Sequence, residues 1–83
     1  MTVKETKVAK AILDVLHELD GGQIHTLPLH AEVNLKIVCL RSEFDAALAI
    51  CDTQGWVIGI TTKFKGNAWS ISDLGEATRL QMA

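Results

Sequence analysis

The chain has 83 residues, 48% of them hydrophobic and 22% charged, with a formal net charge of −2 at pH 7. This is one small globular domain, residues 1–83, too short for a multidomain enzyme and too apolar for a disordered tail. No apolar run approaches the roughly 18 residues a membrane helix needs, and no overall basic field draws nucleic acid. Cys39 and Cys51 lack the paired short spacing of a zinc site, and His17, His25 and His30 are scattered. The cysteines read as reduced, buried small hydrophobes, and no metal or other cofactor is expected. Lys4, Lys7 and Lys10 interrupt any secretory leader, so a reducing cytoplasm is the expected compartment.

Thr2 followed by Glu5 has the spacing of a capping box. Behind it Val8, Ala11, Ile12, Val15, Leu16 and Leu19 recur at helical spacing, and Asp20-Gly21-Gly22 supplies the stop. Gln23 to His25 reads as a short extended piece. Thr26 as N-cap and Pro28 in the first turn predict a second short helix with Leu29, Val33 and Ile37 inward, ending at Asn34 or Lys36. Ser42 is the expected cap of a third helix, with Asp45 as its first-turn acid. Phe44, Ala47, Leu48 and Cys51 share its inner face, and Gly55 ends it. Trp56 to Ile60 is a predicted strand, Gly66-Asn67 a turn, and Ala68 to Ile71 the returning strand of a hairpin. Trp56 and Trp69 are expected to pair across that hairpin and pack into the core. Ser72 caps a last helix containing Leu74, Ala77 and Leu80.

Helices followed by a hairpin give an α+β fold with one distribution of charge that matters. Trp56 to Ser72 carries Lys63 and Lys65 and no acid, whereas Ser42 to Gly55 carries Glu43, Asp45 and Asp52 and no cation. No nucleophile, base and orienting group come together at useful spacing, so no catalytic residue is expected and the chain is not read as an enzyme.

Phe44-Asp45-Ala46-Ala47-Leu48 running through Asp52 into Gly55-Trp56-Val57 resembles the third helix and first wing strand of winged-helix domains. Gly66-Asn67-Ala68-Trp69-Ser70-Ile71-Ser72-Asp73-Leu74-Gly75 resembles the second wing strand and the start of the final helix. The resemblance implies a three-helix bundle, a two-stranded hairpin wing, a third short strand near Gln23–His25 and a short C-terminal helix. It also implies a small transcriptional regulator that binds duplex DNA, with the third helix in the major groove and the wing on the phosphates. Carried over residue by residue, Arg41, Ser42, Glu43 and Ala46 would meet the groove. Lys36, Thr62, Lys63, Lys65 and Asn67 would hold the backbone. A homodimer is expected to double those contacts, joined through apolar positions such as Val3, Leu80 and Met82. The acids of the third helix support a second reading, a protein-interaction module whose face of Glu43, Asp45, Ala46, Ala49 and Asp52 docks a basic or apolar partner.

Overall fold

In the computed structural model, which describes residues 2–63 and 66–82, the first helix forms as its sequence dictates. The Glu5 amide donates to Thr2 Oγ1 and the Thr2 amide to Glu5 Oε1, both at 3.1 Å. Hydrogen bonding from Thr2 also holds the Glu5 carboxyl below its ordinary range. Helix α1 (Val3–Glu18) buries Val8, Ala9, Ala11, Ile12, Leu13, Val15 and Leu16, more than one stripe of its surface. A helix buried over that much of its girth must be covered from several sides. Asp20 and Gly21, at φ 51° and 86°, then reverse the chain in the left-handed region.

The elements that cover α1 follow in order: β1 (Ile24–His25), α2 (Thr26–Lys36), α3 (Arg41–Thr53), β2 (Val57–Thr62), β3 (Gly66–Ile71) and α4 (Asp73–Gln81). The strands make an antiparallel sheet in the order β1-β3-β2. Trp69 stands opposite Ile24 on one side and Gly59 on the other. Phe44, Ile12, Leu13, Leu16, Leu29, Val8 and Val33 form the deepest core. Each such side chain contributes about 1.5–3 kcal/mol by leaving water. His30 stacks on Phe44 at 4.7 Å between ring centroids, and its Nε2 meets the Cys39 carbonyl at 3.2 Å. Both cysteines are free and buried, and burial pushes the Cys51 thiol up to about 12.

Several local expectations need correction. Thr26 is the first residue of α2 and His25 its N-cap, without a side-chain capping bond. The Thr26 hydroxyl is used elsewhere: it accepts from Trp69 Nε1 at 2.9 Å. Helix α3 starts at Arg41 rather than after Ser42, with Leu40 as N-cap. Glu43, not Asp45, is the first-turn acid, and its Oε1 accepts from the Leu40 amide at 2.8 Å. Gly66 and Asn67 lie inside β3, paired with Thr62 and Thr61, and do not form the expected turn. Trp56 precedes β2 and does not face Trp69. It packs half-buried against the core, while Trp69 is 7% exposed.

Helix α4 closes the fold. Ser72 Oγ accepts from the Gly75 amide at 3.0 Å, as the sequence predicts, and donates to the Gly55 carbonyl. On its inner side Arg79 Nη1 reaches Asp14 at 3.3 Å, Lys10 reaches the same carboxylate at 2.8 Å, and His17 meets Glu76 at 2.9 Å. Partial burial of Asp14 works against its charged form, but hydrogen bonds from Lys10 and Arg79 prevail and lower its pKa from 3.8. A carboxylate with a depressed folded pKa stabilises above its unfolded value, and that contribution is lost as pH falls through the folded one. Asp14→Asn is therefore expected to lower unfolding stability by about 1 kcal/mol at pH 7. The deficit against the native chain shrinks in urea titrations carried below pH 3.8.

Candidate nucleic-acid interface

The amino-terminal half of α3 presents two flanks. Ser42, Glu43 and Ala46 turn toward the start of α1 and line an open groove there with Thr2, Lys4 and Glu5. The groove continues past Glu5 to Ile50, Gln54 and Trp56. Lys4 holds its near wall by donating from Nζ to the Val38 carbonyl at 2.8 Å, which fixes the connection between α2 and α3 against α1. On the outer flank Arg41 and Asp45 are both exposed, and Arg41 Nε donates to Asp45 Oδ1 at 2.8 Å. The bond is an i,i+4 pair, a spacing already present in the sequence.

That pair changes the electrostatics of the helix. Arg41 is its one cation, and it is matched by Asp45, leaving Glu43 and exposed Asp52 uncompensated. The Glu43 carboxylate is occupied in capping, so its geometry is set by the Leu40 amide rather than by anything outside. The Nε atom carries the Arg41 bond to Asp45, which leaves the Nη edge of the guanidinium for a bidentate acceptor.

Lys36 stands apart from this group. Its ammonium bonds Glu18 Oε1 at 2.7 Å at the carboxyl end of α1, whereas Ser42 and Ala46 lie beside the opposite end of that helix. The Glu18 contact raises the Lys36 pKa.

The hairpin of β2 and β3 carries the remaining candidates. Lys63 follows β2 directly and is exposed. Lys65 and Phe64 lie outside the described residues. The Thr62 hydroxyl donates to the Gly66 carbonyl, and Thr61 donates to Asn67 Oδ1 at 3.2 Å. Asn67 is exposed, and its own carbonyl accepts from Thr26 Oγ1 at 3.4 Å. Thr26 therefore ties β3 to the first turn of α2 through two bonds, one to the Asn67 carbonyl and one from the Trp69 indole. In the sequence this role shows only as a hydroxyl at the start of a helix, where capping is the ordinary use. Among the positions proposed for self-association, Val3 and Leu80 are exposed, whereas Met82 is half-buried against the core.

Among the described residues, no group of histidine, cysteine and acids is placed to hold a metal ion. No helix among them is long and apolar enough to cross a membrane.

The α1-β1-α2-α3-β2-β3-α4 order, with a sheet that closes on the hairpin, defines a winged helix, and β2–β3 is its wing. Solved structures with the same arrangement include a transcriptional regulator from Clostridium thermocellum (Cth-833). It superposes with a TM-score of 0.76 over 89% of this chain and 74% of its own, at 18% identity. SSV1 F-93 superposes with a TM-score of 0.70 over 99% of this chain and 80% of its own, at 17% identity. No protein-family model matches the sequence, and neither does any curated protein.

Proposed function

We propose that this protein is a DNA-binding transcriptional regulator that holds the duplex mainly through its wing, with the amino-terminal end of α3 against the major groove. The observation that carries this reading is the acid-free hairpin. Lys63 is exposed at the end of β2, Thr62 and Asn67 flank it, and no carboxylate lies between Trp56 and Ser72. Duplex DNA presents one negative charge per about 1.7 Å of its axis, so a loop bearing cations alone is drawn to it. The C. thermocellum neighbour, a transcriptional regulator, supports the same direction. In this reading Lys63 and Lys65 neutralise phosphates, the Asn67 side-chain amide donates to the sugar-phosphate chain, and Thr62 does so by turning its hydroxyl from the Gly66 carbonyl. Arg41, Ser42 and Ala46 approach base edges, Arg41 through its Nη edge. Glu43 serves the cap, and Lys36 lies too far round the bundle to join them.

The test is a duplex titration at several salt concentrations. Lys63→Glu with Lys65→Glu is expected to weaken binding alike on all sequences and to flatten the slope of log K against log salt by about 1.8, the value for two phosphate contacts. Unchanged affinity and slope would remove the wing from the interface. Asp45→Ala releases Arg41 and deletes a repelling charge, and it is expected to tighten duplex binding several-fold.

The Arg41–Asp45 pair also favours a second reading, in which Glu43, Asp45, Ala46, Ala49 and Asp52 dock a basic protein surface. Under that reading the lysine reversal leaves the partner bound, while Glu43→Lys with Asp52→Lys releases it.

A further inference from the structure

We infer that β2 is a self-pairing edge, and that two copies of this chain join there into one continuous antiparallel sheet. This goes beyond the DNA-binding reading and does not depend on it. The sheet order leaves β2 with a neighbour on one side only. Which backbone groups face the open side follows from one hydrogen bond. The Ser72 amide donates to the Trp56 carbonyl at 3.1 Å, which makes 56 and 72 a hydrogen-bonded pair of the ladder. Alternation from that pair points the amides and carbonyls of Ile58, Ile60 and Thr62 at β3. Those of Val57, Gly59 and Thr61 point away from it.

The open side is accessible. Ile58, Gly59, Ile60 and Thr61 are exposed in succession. At Gly59 this is informative, because the Trp69 ring covers its inner face so closely that a Cβ there would lie 2.6 Å from Trp69 Cζ3. The exposure of Gly59 therefore belongs to its outer face and its edge. Exposed sheet edges are ordinarily blunted by charge, proline, a bulge or brevity. Strand β2 has six residues, Val-Ile-Gly-Ile-Thr-Thr, with no charge or proline among them, and pairs without a bulge. Ile58 and Ile60 are 49% and 43% exposed.

The occupant is a second copy because the edge complements itself. With Gly59 on a two-fold axis, Gly59 exchanges bonds with Gly59 of the partner subunit, and Val57 and Thr61 exchange with the partner subunit's Thr61 and Val57. All three residues turn their backbone groups away from β3, with Gly59 and Thr61 exposed and Val57, at 4% exposure, seated at the inner end of the edge. Ile58 then faces Ile60 of the partner subunit as a close apolar pair, and the same contact repeats across the axis. Glycine on the axis adds no side chain to the crowded inner face. Charge agrees with this register. Lys63 comes level with the partner subunit's Gly55, where α3 ends with Asp52 and with no cation in its last turn. A lysine at the carboxyl end of a helix is the favourable arrangement.

Sedimentation equilibrium of the intact chain over rising concentration tests this. A reversible monomer–dimer equilibrium is expected. Ile58→Glu with Ile60→Glu should raise its dissociation constant at least tenfold, and Val3→Glu with Leu80→Glu should leave it unchanged. A chain monomeric at all concentrations, or a dimer that the Val3 and Leu80 pair dissolves, overturns the inference. Amide exchange of the unmutated chain gives a second readout that no folding defect can confuse. The Gly59 and Thr61 amides are expected to slow as concentration rises, and exchange equally fast at all concentrations overturns it.

Discussion

Gly75→Ala is expected to destabilise the protein by about 3 kcal/mol or more, although alanine is the better helix former by about 1 kcal/mol. Gly75 is the buried residue of α4, in its first turn. A Cβ built on it would lie 2.0 Å from the Trp56 carbonyl oxygen and 2.9 Å from Ile71 Cγ1. The oxygen cannot retreat, since it accepts the Ser72 amide at the end of the ladder. Helix α4 has to lift instead, pulling Ser72 Oγ from the Gly75 amide and Arg79 from Asp14. A domain of this length holds only about 4–12 kcal/mol in total, so the loss is a large share of it. Urea denaturation followed by far-UV circular dichroism measures the change. A variant as stable as the parent would mean that α4 does not approach Trp56 so closely.

Trp69→Ala is the second large effect, at about 3–5 kcal/mol. Trp69 spans the sheet, with Ile24 opposite it on β1 and Gly59 on β2, and its ring rests on the glycine. Removing it opens a void between the sheet and the bundle, and it removes the donor that reaches Thr26. Thr26→Val separates the two contributions. It keeps the ring but leaves the indole N–H without its acceptor, an expected cost of about 1–2 kcal/mol. If the valine variant matched the alanine variant, the hydrogen bond rather than the packing would dominate. The same valine variant loosens β3 of the wing at Asn67. In the DNA-binding reading it weakens duplex affinity while leaving the Lys63 contribution to the salt slope in place.

Much of the architecture was legible because it rests on local chemistry. The Thr2–Glu5 box, the Asp20-Gly21 reversal, the inner stripe of α3 and the Ser72 cap are each written in residues a few positions apart. The misread features involve a competing long-range partner. Thr26 reads as a cap until the hairpin folds back and offers it the Trp69 indole, 43 residues away. Gly66-Asn67 reads as a turn, yet both residues continue the ladder, opposite Thr62 and Thr61 on the partner strand. At the site, the lysines of the wing stand out by the absence of acids around them. The neutralisation of Arg41 by Asp45 was present as an i,i+4 spacing. It was hidden because a Ser42 cap starts the helix two residues later, which leaves Arg41 outside it.

The contacts of α4 with α1 join positions 59 and 65 residues apart. On a ribosome, α1 emerges well before the segment that seals it, whereas the hairpin leaves only just ahead of α4. Until Glu76 and Arg79 leave the exit tunnel, the buried face of α1 has one side uncovered. The nascent α1 therefore carries an open seam, for which α4 serves as the latch. A chain lacking α4 would leave Asp14 and His17 without these partners and keep that seam open.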